Sequence, residues 1–308
     1  MPLIIEKVFN SQVKAKFTAN KFISTLYGVG FIRRILHRLA SKKLMTAFGG
    51  RVRFLGIGGA KLHIDTETFL HEGGFPYAIG YGLTETAPMA AGQIPGKCRI
   101  GATGPAMAGV NIRLDNINPE TGLGEIVINS PSVMQGYYKN PEATAEVFTE
   151  DGWFRTGDLG EFDKDGYLYI KGRLKNMILG PSGENIYPEE IESVLNSHAF
   201  VSESVVTEQD GRLIALVHFD NEAIEKLKDE FMAKLEITRD EWNQKKDEWS
   251  KRMEEIKQEL MKYVNSKVNR FSRITEVIEE ENEFEKTPSK KIRRFLYTKR
   301  GQQDQQKK

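Results

Sequence analysis

Residues 153–192 read WFRTGDLGEFDKDGYLYIKGRLKNMILGPSGENIYPEEIE, and the texture of the chain changes once inside them. Before the change come short alternating strands, Trp153-Phe154, Gly160–Phe162 and Tyr167–Ile170, parted by turn signals such as Lys164-Asp165-Gly166. Alternation of this kind marks a half-buried sheet. From Gly172-Arg173 onward the pattern becomes a strand, Met177–Leu179, and then a helix, Pro188–Asn196, with Ile191, Val194 and Leu195 at helical spacing. A domain boundary is expected at that change.

Working outward, Asn111–Leu114 and Gly124–Asn129 extend the alternating region into a small β-barrel or folded sheet. Farther upstream the chain alternates helix and strand, which argues for a parallel α/β sheet. Residues 3–48 read mostly as helix, with Ile32, Ile35, Leu36 and Leu39 on one face. Val52–Ile57 reads as a buried strand closed by Gly58-Gly59-Ala60. A helix near Asp65–His71 and a strand at Pro76–Ile79 follow. Downstream, strands at Glu203–Thr207 and Leu213–Phe219 complete an α+β pattern. Residues from about 221 to 264 form a charged helical insertion, with a capping box at Thr238-Arg239-Asp240-Glu241. Trp242, Trp249, Met253, Ile256, Leu260 and Tyr263 make an apolar seam that is expected to pack on its own domain rather than on a partner or membrane.

Charge and cysteine content narrow the function classes. Lys and Arg number 44 against 43 Asp and Glu, so net charge predicts no polyanion partner. The single Cys98 excludes an internal disulfide and a Cys-rich metal site, and a reducing cytoplasm is its simplest home. No apolar run approaches the ~18 residues a membrane span needs. From Phe284 to Lys308 nine basic residues face two acidic ones, a tail that could touch phosphates, nucleic acid or a membrane surface, although its last eight residues read better as a solvated tail.

Four motifs carry chemistry. In Gly80-Tyr81-Gly82-Leu83-Thr84-Glu85-Thr86, a glycine-rich turn after a strand lets backbone approach a nucleotide. There the Thr84 hydroxyl can bond a phosphate, the Glu85 carboxylate can hold Mg²⁺ and Tyr81 can stack on a base. The same residues also read as a tight turn with exposed polar side chains. In Arg155-Thr156-Gly157-Asp158-Leu159, Asp158 can accept both hydroxyls of a ribose, or it can simply stabilise a turn. Gly172-Arg173-Leu174-Lys175 and Ser182-Gly183-Glu184-Asn185 flank the expected boundary. Lys286-Thr287-Pro288-Ser289-Lys290-Lys291 offers a loop lysine that could neutralise charge on a departing phosphate, or else a solvated basic run.

In this order and at these spacings, the four motifs resemble the adenylate-forming superfamily of acyl-CoA synthetases, luciferases and peptide-synthetase adenylation domains, over nearly the whole chain. Gly183–Pro188 and Lys286–Lys291 are most similar to the long-chain fatty acid–CoA ligase branch. The resemblance implies a fold of α/β plus α+β class. Residues 1–171 would be the carboxy-terminal portion of a large AMP-binding domain, with a parallel α/β sheet portion and a small β-barrel. Residues 172–308 would be a small mobile α+β domain. It also implies ATP-dependent activation of a fatty acid through an acyl-adenylate and transfer to coenzyme A, with Mg²⁺ as cofactor.

The resemblance carries roles to single residues. Gly58, Gly59, Ala60 and Tyr81 would line the adenine site, with Gly80 and Gly82 also among the nucleotide-binding residues. Thr84 would contact phosphate and Glu85 would bind Mg²⁺. Asp158 would hold the ribose, with Arg173 as a second nucleotide contact. Lys175 would be the hinge, Gly183 would stand beside the pantetheine path, and Lys291 would be the adenylation lysine. Two departures stand out. Many relatives have glycine where this chain has Lys290. The family's Ser/Thr/Gly-rich triphosphate loop lies upstream of everything matched, and no P-loop replaces it. Met1 is therefore expected to stand inside a larger domain, and the chain alone to be inactive while keeping an AMP half-site. Expected partners are fatty acid and coenzyme A, without nucleic acid. Peripheral contact with the inner face of the membrane and a homodimer stay open. So do a different acid, an acyl carrier protein acceptor, and a non-catalytic partner-binding role.

Overall fold

The structure is a computed structural model that describes residues 29–59, 61–181, 183–234, 246–287 and 291–298. They divide into two compact units between Lys175 and Asn176. Gly172 and Arg173 thus close the last strand of the first unit.

The first unit opens with helix α1 (Gly30–Ala47), followed by β1 (Leu55–Ile57), α2 (Ile64–Glu72) and β2 (Tyr77–Tyr81). The face that α1 buries is His37, Ser41 and Leu44. Ile35 and Leu39 of the expected apolar face are instead 43% and 56% exposed. The reason is close packing on α2: a side chain at Gly73, just past α2, would meet Ser41 Cβ at 2.8 Å and His37 O at 3.1 Å. Small and polar residues therefore take the contact, and Arg33 and His37 reach Glu72 at 2.6 and 2.8 Å. Helix α2 begins with His63 as its cap and carries Asp65 and Glu67 in its first turn, where acids favour the helix dipole. Strands β1 and β2 pair in parallel, Leu55 opposite Tyr77, and β2 pairs antiparallel with β3 (Ala91–Gly92). Leu55, Ile57, Phe69, Leu70, Phe75 and Tyr77 fill the core between these elements.

Burial pushes His37 below its ordinary value of 6.5, with Glu72 opposing. Near that pH the unfolded chain binds a proton that the folded chain refuses. Stability therefore falls as pH drops through 6.5 toward the folded value, by at most about 1.4 kcal/mol per pH unit. Glu72, held below the usual carboxylate range by Arg33, adds its own loss only under the ordinary carboxylate value of 4.5. His37→Gln is expected to flatten the fall between about pH 7.5 and 5.5, measured as denaturant midpoints at each pH.

The rest of the first unit is an antiparallel meander of β4 (Asn111–Asp115), β5 (Gly124–Asn129), β6 (Phe154–Phe162) and β7 (Leu168–Arg173). A short helix α3 (Pro141–Glu146) lies between β5 and β6. The strands pair in the order β4-β5-β6-β7, and the chain at Thr103-Gly104 bridges to Leu168 along the far side of β7. Ile126, Ile128 and Leu168 pack with Tyr81, Ala90 and Ala91, so the meander and the end of β2 share one core. The two strands expected at Trp153-Phe154 and Gly160–Phe162 are one strand, β6, because β5 and β7 pair along both of its edges.

The second unit holds the hairpin β8 (Ile178–Leu179) and β9 (Asn185–Ile186), then α4 (Pro188–Asn196), β10 (Val201–Gln209) and β11 (Arg212–Phe219). Helices α5 (Asn221–Lys234) and α6 (Lys246–Asn265) and strand β12 (Glu276–Glu279) follow. β11 is central, antiparallel to β10 and parallel to β12. The seam on α6 is spent inside this unit: Met253, Ile256 and Leu260 are buried with Val217 and Val277, and Trp249 and Tyr263 pack against them. Trp242 and the capping box at Thr238 lie outside the described residues. No helix among the described residues is long and apolar enough to cross a membrane.

Candidate functional site

β2 delivers Tyr81 to the meander, and the chain reverses at once. Gly82 allows this: a β-carbon there would stand 1.6 Å from the Pro88 carbonyl oxygen. Glycine is thus required by the chain's own return. Gly82→Ala is expected to lower the thermal midpoint, at a cost above the about 1–3 kcal/mol usual for overpacking, because the obstacle is backbone.

After Gly82 a single 3₁₀ turn, Thr84–Thr86, is locked from below. The buried Thr86 hydroxyl oxygen accepts from Leu83 N–H at 3.0 Å and lies 3.0 Å from the Leu83 carbonyl, to which it can donate. Thr84 is left exposed and Glu85 half-buried. Met134 N–H donates to the Glu85 carbonyl at 2.8 Å, and the Tyr137 hydroxyl donates to Glu85 Oε1 at 3.1 Å. Burial and the Glu85 carboxylate push the Tyr137 phenol up, so it stays a proton donor.

Asp158 owes its direction to a bulge. Glu125 pairs with Leu159 and Val127 with Arg155, so Thr156-Gly157-Asp158 stand opposite Ile126 alone. Such insertions re-aim side chains beside functional sites. Gly157 supplies the required φ of +68°. The bulge is pinned by the Thr156 hydroxyl donating to the Ile126 carbonyl at 2.7 Å and by the buried Glu125 accepting from Gly157 N–H at 3.3 Å.

Asp158 is 6% exposed. Its Oδ2 accepts from the Tyr81 hydroxyl at 2.8 Å, and its Oδ1 lies 2.9 Å from Arg173 Nε across the β6–β7 ladder. Burial and the neighbouring carboxylate push the Tyr81 phenol well up, so it too is a neutral donor. Three strands thus converge on one oriented carboxylate whose outer partner, Arg173, is itself exposed.

The first unit therefore brings Tyr81, Asp158 and Arg173 into direct contact and sets Thr84 and Glu85 on the turn leaving β2. Gly58, at the end of β1, abuts the Gly80 carbonyl, where a β-carbon would stand at 3.1 Å; Gly59 follows it, and Ala60 lies outside the described residues. The space beside Gly80 is filled by Met89. Lys175 is exposed on a 3₁₀ turn, Leu174–Asn176. The other candidates belong to the second unit. Gly183, at φ +85°, donates its N–H to the Gly180 carbonyl at 3.0 Å in the β8–β9 turn. Lys291 is exposed, its carbonyl accepting from Thr287 N–H at 2.8 Å. Residues 288–290 lie outside the described part.

Among the described residues no three His, Cys, Asp or Glu side chains cluster as a metal cage. A lone carboxylate such as Glu85 suits Mg²⁺ that keeps waters and substrate phosphates as its other ligands. Tyr137 was not among the sequence candidates. It meets Glu85 from 52 positions away, and no local pattern announces that contact.

Residues 6–138 match the family model for AMP-binding enzymes. The chain is 37% identical over 203 residues to the long-chain-fatty-acid–CoA ligase FadD15 of Mycobacterium bovis, an alignment covering 64% of this chain and 33% of that protein. It is 48% identical over 128 residues to the sulfoacetate–CoA ligase of Cupriavidus necator, covering 40% of this chain and 25% of that protein. The chain thus spans about a third or less of these relatives' length. The fold is similar to that of o-succinylbenzoate CoA synthetase from Bacillus subtilis solved with its acyl-adenylate intermediate. That match has a TM-score of 0.63 and 24% identity, over 84% of this chain and 49% of that one.

Proposed function

From a chain whose residues 6–138 match the AMP-binding enzymes and whose fold is that of the adenylate-forming enzymes, we propose that it is part of a ligase that activates a long-chain fatty acid. The acid would attack the α-phosphate of ATP to give an acyl-adenylate and pyrophosphate, and coenzyme A would then displace AMP. The observation that carries this reading is the buried Asp158 carboxylate, aimed by the β6 bulge and flanked by Tyr81 and Arg173. A carboxylate so held accepts both hydroxyls of a ribose, the role acids play in dinucleotide folds.

In this reading Tyr81 offers its ring to adenine beside Gly58 and Gly59, and Arg173 contacts the nucleotide from outside. The Thr84 hydroxyl donates to an α-phosphate oxygen. Glu85, steadied by Tyr137, holds Mg²⁺, which when bound neutralises phosphate charge. Lys291 brings a cation to the same phosphate during adenylation. Lys175 serves as the hinge, and Gly183 stands beside the pantetheine path in thioester formation. A cytoplasmic site fits the lone buried thiol of Cys98.

The sulfoacetate relative favours one second reading, activation of a different acid by the same machinery. Carboxylate-dependent ATP–pyrophosphate exchange separates them, with acids from acetate to long-chain fatty acids. It is run on this chain alone and on this chain joined to the upstream part of the Mycobacterium bovis relative. We expect exchange only in the joined protein, fastest with long-chain acids. Preference for a short or sulfonated acid would favour the second reading. Exchange by the short chain would place the triphosphate grip within it.

A further inference from the structure

The arm that carries Lys291 is held by contacts that none of the proposed chemical steps uses. Lys286 and Ile292 form a β-bridge, Arg293 N–H donates to the Glu285 carbonyl at 2.8 Å, and Glu285 N–H donates to the Tyr297 hydroxyl at 2.8 Å. Ile292 packs on a small cluster made by Val205, Ile214, Leu216 and Phe284. These contacts join the two described legs of the hairpin and tie its base to the face of the β10–β11 pair.

Lys286 Nζ lies 2.8 Å from Glu203 Oε1 on β10, and a second ion pair also reaches away from the hairpin. The Arg294 guanidinium bonds Glu192 Oε2 on α4, and the other oxygen, Oε1, accepts from Val206 N–H on β10 at 2.7 Å. Glu192 is 6% exposed. One buried carboxylate thus joins α4, the middle of β10 and the segment three residues after Lys291. Burial pushes the Glu192 carboxyl up and Arg294 opposes it, so with Arg294 gone the buried carboxylate either stays charged without its cation or takes up a proton, and the link to the arm is lost either way.

We propose that Glu192 and Arg294 are a positioning pair that holds the Lys291 arm against α4 and β10, so that the lysine is presented from a fixed hairpin. The pair touches no substrate. The proposal rests on the reading of Lys291 as the adenylation lysine, and its test separates the two.

Hydrogen exchange is measured on the full chain for wild type, Arg294→Met, Arg294→Lys and Glu192→Gln. The amides of Thr287 and Arg293, bonded across the hairpin, are expected to exchange about 10-fold faster or more in Arg294→Met and Glu192→Gln, in line with the cost of breaking a buried pair. Ala215 and Val217 in β11 keep their protection. Arg294→Lys recovers part of the hairpin protection. Equal loss of protection in β11 would make the pair a general prop of the fold and overturn the proposal, as would unchanged exchange at Thr287 and Arg293. If Arg294→Met does not fold, Glu192→Gln and Arg294→Lys carry the same comparison. In the joined protein, Glu192→Gln should lower kcat for pyrophosphate exchange with little change in KM for the acid. It should leave thioester formation from supplied acyl-adenylate intact. If Lys291→Ala leaves exchange activity untouched while the hairpin amides still respond to Arg294→Met, the pair stands as a hairpin clamp and the reading of Lys291 falls.

Discussion

Asp158→Ala is expected to weaken binding of AMP by about 10- to 100-fold, the scale of losing hydrogen bonds to a charged group. The variant removes the acceptor for both ribose hydroxyls, and it strips the partner from the buried Tyr81 hydroxyl and from Arg173. An orphaned buried hydroxyl costs about 1–3 kcal/mol of stability by itself, so a companion is needed. Tyr81→Phe deletes that hydroxyl and keeps the carboxylate. We expect Tyr81→Phe to shift affinity far less than Asp158→Ala while changing the thermal midpoint comparably. Asp158→Asn should fall between wild type and alanine in affinity, since its amide oxygen keeps one acceptor while its nitrogen can no longer accept from a ribose. Calorimetric titration with AMP, with thermal melts of each variant, reads both quantities. Equal affinities for wild type and Asp158→Ala would remove the ribose role.

Leu260→Ala should destabilise the second unit by about 2–5 kcal/mol, the range for truncating a fully buried leucine. Leu260 is 0% exposed and lies in the α6 seam among Ile256, Val264 and the inner face of β11. Its surroundings are a helix face, a sheet and α4, and such a site collapses only partly around a lost isobutyl group. The prediction decides what the seam is for. A face reserved for a partner would tolerate alanine in the isolated chain. A denaturant midpoint within about 0.5 kcal/mol of wild type, the size of a surface change, would revive the partner reading.

The sequence carried much of this architecture because local signals and tertiary demands agreed. α4 starts at Pro188 and carries Glu189 and Glu190 in its first turn, so proline geometry and the helix dipole both mark its beginning. The α6 seam repeats at helical spacing and is buried where the spacing says. Local reading fell short where a distant segment decided the outcome. On α1 the apolar residues looked inward, yet Gly73 brings α2 so close that Ser41 and His37 take the contact. At Thr156-Gly157-Asp158 a turn motif is held inside a strand by pairing on both sides, and the turn tendency survives as a bulge.

The candidate site shows the same split. Tyr81, Thr84, Glu85, Asp158 and Arg173 were legible because each sits in a short motif. Tyr137 and the Glu192–Arg294 pair were not, since each joins residues far apart in the chain. Gly82 was legible for a different reason from the one the structure gives. Its missing side chain makes room for Pro88.

The most direct test of the central claim is a crystal structure of this chain grown with AMP. The account predicts the ribose hydroxyls on the Asp158 carboxylate, adenine beside Tyr81 and Gly58-Gly59, and phosphate toward Thr84. AMP bound elsewhere, or Asp158 closed by Tyr81 and Arg173 at saturating AMP, would contradict it.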